Sequence, residues 1–112
     1  MNVRRENLVV ASGATVSTHF SAGGFSSFGI VTPANLVGTV ITFEVGVSGS
    51  GTIAWTPLNN LGTAALLNVA TVAPSKAYKA PDDLRPFEYW RLITPAQTSG
   101  AATFVCYGKS EA

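Results

Sequence analysis

The chain has 112 residues, a formal charge of +1 and one cysteine, enough for one domain whose core needs no metal or disulfide staple. Near-neutrality removes the concentrated Lys and Arg that attract nucleic acid or anionic lipid, and no stretch reaches the roughly 18 apolar residues of a membrane helix. A lone Cys106 excludes an internal disulfide and, between Val105 and Tyr107 in an apolar run, reads as an inert buried thiol.

Arg4 and Arg5 precede the apolar run Leu8 to Ala11, with Glu6 intervening, and the run is too short for a secretory signal. No address label is seen, and the protein is expected to be soluble when made. Residues 1–7 read as an N-terminal arm and 8–112 as the domain, with no repeat, linker or second domain. From Ala14 to Phe20, Val16, Thr18 and Phe20 alternate with Thr15, Ser17 and His19, which predicts a half-buried strand with the even positions inward. Phe28 and Ile30 continue in the same manner. The clearest strand is Thr39 to Val47, with Ile41, Phe43, Val45 and Val47 on one face and Thr42 and Glu44 outward. Ser48-Gly49-Ser50-Gly51 supplies the positive φ angles of a tight reversal, and Thr52 to Thr56 returns with Ile53 and Trp55 inward, Trp55 near Phe43.

Pro57 ends that strand, and Asn59, Asn60 and Gly62 make the next turn. Leu66 to Val72 is predicted as a strand and Pro81 to Leu84 as one helical turn, with Asp82 and Asp83 satisfying backbone N–H groups at its start. Phe87 to Thr94 is a strand with Trp90 and Leu92 inward and Tyr89 and Arg91 outward. After the loop Pro95 to Gly100 comes a last strand, Thr103 to Tyr107. About seven or eight short strands, spaced roughly ten residues apart, predict an all-β fold: a single antiparallel β-sandwich or jelly roll.

Little here supports catalysis, and none is expected. The one His, His19, falls on the polar face of a strand beside Ser17 and Ser21, without the nucleophile and carboxylate that a triad needs. One His and one Cys so far apart cannot make a tetrahedral metal set, and neither metal nor cofactor is expected. Gly49-Ser50-Gly51-Thr52-Ile53-Ala54 fits G-x-G-x-x-A formally, but a strand follows where a dinucleotide site needs a helix.

The distribution of charge is more telling. Between Asn7 and Ser75 the only charged side chain is Glu44, and 12% of the whole chain is charged where a freely diffusing domain has about a quarter. A domain of this size buries only about two-thirds of its unfolded surface, so much of what stays outside is Ser, Thr, Ala, Val and Gly. Such a face suits packing against other protein. Arg4 and Arg5 on the arm are candidate partner contacts, as well as candidates for simple solvation. Phe25, after Gly23-Gly24, either plugs the core, the reading slightly favoured, or anchors to a partner.

Taken in order, Phe28-Gly29-Ile30-Val31-Thr32-Pro33, Ile41-Thr42-Phe43-Glu44-Val45-Gly46-Val47, a Gly/Ser turn, Ala54-Trp55-Thr56-Pro57-Leu58 and Tyr89-Trp90-Arg91-Leu92-Ile93-Thr94 resemble small virion structural proteins of tailed bacteriophages. There, a turn like S-x-D-G-G precedes T-W-x-P-L, and a later strand reads like F-x-R-L. The likeness covers about 80 residues and rests on strands and turns; Ser48-Gly49-Ser50-Gly51 lacks the usual Asp, which removes any cation site there. The resemblance implies a β-sandwich cement protein on the capsid exterior, made in the host cytoplasm. It would bind the major capsid protein at junctions between subunits as a homo-oligomer, a trimer above all. A tail or neck subunit is the runner-up. A carbohydrate-binding module is a further alternative and needs Trp55, Trp90 and Tyr89 exposed on one face.

Overall fold

The computed structural model describes residues 2–49, 52–59 and 70–110. In chain order the strands are β1 (Val3–Val10), β2 (Val16–Ser21), β3 (Ser27–Val31), β4 (Val40–Gly49), β5 (Thr52–Pro57), β6 (Ala70–Thr71), β7 (Ala77–Lys79), β8 (Tyr89–Ile93) and β9 (Ala102–Lys109). One 3-10 turn, Asp82–Leu84, lies between β7 and β8. Every pairing is antiparallel, so the expected all-β fold is the observed one. The strands form one curled sheet in the order β5-β4-β8-β2-β1-β9-β3-β7, with β6 on β4 off that path.

The curl falls between β2 and β1, which share only the pair Val10 and Ser17. Beyond it side chains replace the ladder. Val9 N–H donates to Thr18 Oγ1 at 3.0 Å, and Ser21 N–H donates to Glu6 Oε2 at 3.2 Å. On its other side β2 carries a bulge between Val16 and His19, where Leu92 N–H donates to Ser17 Oγ at 2.9 Å. A bulge of this kind strengthens twist and re-aims side chains. It also overturns the expected parity: Ser17 and Phe20 are buried, while Val16 and Thr18 are exposed.

The concave side holds one apolar cluster drawn from both runs of strands. Leu8, Val10, Phe28, Ile30, Phe104 and Cys106 come from one run, and Phe20, Ile41, Phe43, Val45, Trp90 and Leu92 from the other. Trp90 sits at the centre. Its ring stacks on Phe20 at 5.1 Å and 14°, while Phe28 and Phe43 meet it edge-on at 5.7 and 6.1 Å. Its Nε1–H has no hydrogen-bond partner, so this anchor is held by area and ring geometry alone. Buried Gln97 knits the loops at one end: Nε2 donates to the carbonyls of Val37 and Pro95 at 2.9 and 2.8 Å, and Oε1 accepts from Val37 N–H at 2.9 Å.

Three further expectations are corrected, and a fourth lies mostly outside the described residues. Residues 3–7 are no arm: they are the first half of β1, paired to β9 from Val3 with Lys109 onward. Their polar side chains hide the strand, because the core does not extend beneath that end. Trp55 lies opposite Gly46, on the face away from Phe43, because the tight hairpin pairs Gly49 with Thr52. No side-chain bond caps the 3-10 turn, and the Asp82 carboxylate instead pairs with Lys79 at 3.3 Å. Of the predicted strand Leu66 to Val72, only the part from Ala70 lies among the described residues.

Trp90→Ala should cost about 3–5 kcal/mol, as expected for an aromatic removed from a packed core, and Trp55→Ala no more than about 2 kcal/mol. Urea denaturation of both variants measures the contrast, and equal losses would refute the assignment of the two rings to opposite faces.

Burial pushes the Cys106 thiol from 9.0 up to about 12, with the Glu6 carboxylate adding to the shift. The folded state therefore holds its proton where the unfolded chain releases it. The contribution is complete below about pH 9 and is lost as pH rises toward 12, by at most about 1.4 kcal/mol per pH unit. Comparing the pH dependence of stability with that of Cys106→Ala should show a shallower alkaline decline in the variant.

Candidate interaction surfaces

The outer face of the β1-β9-β3-β7 run is built in rows, because directly paired residues project to the same side. One row is Arg5, Tyr107, Gly29 and Lys79; the next is Val3, Lys109 and Ser27. With no side chain on Gly29, a groove of about 650 Å3 opens between Tyr107 and Lys79, floored by Gly29 and bordered by Val3 and Lys109. Val3 is 65% and Tyr107 39% exposed, although both are large apolar or aromatic groups. Lys79 is engaged by Asp82. Arg5 and Lys109 make no ion pair among the described residues, which leaves the face apolar in its floor and positive at its rim.

The two candidate arginines thus part company. Neighbours on a strand face opposite ways, so Arg5 enters this outer face. Arg4 turns the other way and pairs with Glu6 at 2.6 Å. Phe25 is partly buried, packs on the core and meets Phe20 edge-on at 6.4 Å, the core-plugging alternative of the two.

The outer face of the β5-β4-β8-β2 run is different in kind. Trp55 and Tyr89 flank Gly46 in one row, and Glu44, Arg91 and His19 form the next. The Arg91 guanidinium lies 4.1 Å above the Trp55 ring, and its Nε donates to Glu44 Oε1 at 2.7 Å. Exposed His19 meets Tyr89 edge-on at 5.2 Å and Trp55 at 5.7 Å. The cluster satisfies itself. Its cation is spent on a carboxylate and a π-face, and it offers no nucleophile with an adjacent base. No group of three metal-ligating side chains occurs among the described residues.

The periodicity pointed to Trp55 as core and so missed this cluster. The signal that could have found it is the glycine at 46: a Cβ there would sit 2.6 Å from Ile53 Cγ2 and 3.1 Å from Trp55 Cε3, so the ring and the glycine require one another. The chain matches no protein-family profile, no curated protein and no solved structure.

Gly46→Ala should therefore destabilise by about 1–3 kcal/mol through overpacking. At Gly29 a Cβ meets only Tyr78 O, at 3.7 Å, so Gly29→Ala should be neutral or stabilise by about 0.5 kcal/mol through lost unfolded-state entropy. Thermal melts of the pair test the geometry, and equal effects would contradict it.

Proposed function

We propose that this protein is a structural subunit of a tailed-phage virion, a cement protein that binds the outside of the capsid at junctions between major capsid subunits. The observation that carries the reading is the outer face of β1-β9-β3-β7, where exposed Val3 and Tyr107 border a groove, Lys109 stands at its rim and Arg5 flanks Tyr107, neither cation in an ion pair among the described residues. Such a face fits a protein surface bearing carboxylates, since complementary charge guides encounter and buried aromatic area holds the complex. A stable contact would bury roughly 800 Å2 of this protein per partner. The reading also draws on the all-β fold, whose chain crosses repeatedly between the two runs of the curled sheet, since jelly rolls of antiparallel strands serve as viral capsid domains.

A second reading has one observation in its favour. Trp55 and Tyr89 do share an outer face, with Glu44 and Arg91 beside them to hydrogen-bond hydroxyls, as a glycan platform requires. Against it, Trp90 lies in the core and Arg91 already covers a face of Trp55.

Co-sedimentation with shells of the major capsid protein separates these readings. The intact protein should bind, while Arg5→Glu with Lys109→Glu, and Gly29→Phe alone, should each weaken binding by about tenfold or more with little change in melting temperature. Binding to purified tails instead of shells would move the protein to the tail or neck. Binding to neither, together with quenching of Trp55 fluorescence by a saccharide, would favour the glycan platform.

A further inference from the structure

The sheet treats its two edges differently. The β7 edge is three residues long, carries Lys79 and lies between Lys76 and Pro81. Shortness, Lys and Pro are the means by which natural sheets block pairing at an edge. The β5 edge is guarded less: it is six residues long, is uncharged from Thr52 to Pro57, carries its one Pro only as its last residue, and among the described residues pairs only with β4. Leu58 N–H donates to Phe43 O at 3.1 Å. The period of two then turns the backbone groups of Thr56 and Ala54 toward β4 and points those of Ile53 and Trp55 to the side away from it, where no described residue pairs with them. Beside this edge Val47 is 51% exposed, and a groove of about 400 Å3 is lined by Val45, Ala54, Thr56, Leu58 and Phe87.

We propose that β5 pairs antiparallel with β5 of a second copy of this chain, about a two-fold axis at Ala54. In that register Ile53 of each copy stands opposite Trp55 of the other, and each such pair exchanges both of its N–H···O=C bonds. Ala54 faces Ala54 at the axis, in the close, non-hydrogen-bonded type of pair that brings Cα atoms within about 4.5 Å, and a methyl group fits there. Thr52 meets Thr56. A two-fold axis sets like against like, so a charged strand would repel itself; this strand carries no charge, and its backbone donors and acceptors complement their own copies. The Trp55 ring, held over Gly46 and under Arg91, leaves the edge clear. The pairing does not rest on the virion reading.

Ala54→Cys tests it under mild oxidation, because a symmetric pair at this spacing suits a disulfide and buried Cys106 does not compete. A disulfide-linked dimer should form at least about tenfold faster than for Ser12→Cys, an exposed control in the β1–β2 turn. Adding Ile53→Pro removes an N–H that points off the edge and spares the bonds to β4, so it should abolish the advantage. If that variant fails to fold, Ala54→Lys, with like charges at the axis, should sediment as a monomer where the unmodified protein shows a concentration-dependent dimer. An Ala54→Cys rate no greater than the control overturns the proposal, as does a monomer at the highest soluble concentration of the unmodified protein.

Discussion

The ladder between β1 and β9 is the interaction on which the rest of this structure depends. It runs without interruption from Val3 with Lys109 to Val10 with Ala102, joining the two ends of the chain. On its inner side Leu8 with Phe104 and Val10 with Ala102 line the core; on its outer side Arg5 with Tyr107 and Val3 with Lys109 make the candidate partner face. The same β1 meets β2 at the curl. Removing it would open β9 to solvent along one edge and strip the curl of the groups that bridge it.

Those bridging groups show how the sheet bends without stranding its backbone. Where β1 and β2 diverge, Thr18 and Glu6 supply acceptors that a neighbouring strand would otherwise provide, and Ser17 does so at the bulge against β8. Thr32 does the same inside a loop, accepting from Lys76 N–H at 2.9 Å and donating to Ala73 O at 2.6 Å. Buried backbone groups left unpaired would cost about 1–3 kcal/mol each. A few Ser, Thr, Gln and Glu side chains therefore shape the fold, and most of the outer face of β1-β9-β3-β7 is left free of structural duty. That freedom makes a face such as Val3, Arg5, Tyr107 and Lys109 informative about partners.

The strands that cross the middle of the core are legible from alternation, because there every second side chain enters it, until Val47 at the end of β4 runs out past the core. Ile41, Phe43 and Val45, and Trp90 and Leu92, are buried as their periodicity indicates, and Cys106 as its apolar run indicates. Legibility fails where that condition fails. At the start of β1 neither face is buried, so two arginines and a glutamate read as an arm. In β2 the bulge inserts a residue and breaks the parity. Trp55 follows register and not hydrophobicity: the pairing of Gly49 with Thr52 sets it opposite Gly46, on the face of Glu44 and away from Phe43. Of the candidate contacts, Arg5 reaches the outer face, whereas Arg4 and Phe25 are used within the domain. Tyr107 and Lys109 are not legible as a site in the sequence, because a groove over Gly29 exists only once β3, β7 and β9 lie side by side.

In the proposed role, a domain poor in charge presents one positively rimmed face to a neighbouring protein. A cryo-electron microscopy reconstruction of the protein on a phage capsid tests this most directly. If the outer face of β1-β9-β3-β7 carries the contact, Val3, Arg5, Tyr107 and Lys109 will lie against the shell, with acidic side chains of the major capsid protein beside Arg5 and Lys109. A particle that carries the protein with that face turned to solvent would contradict the assignment.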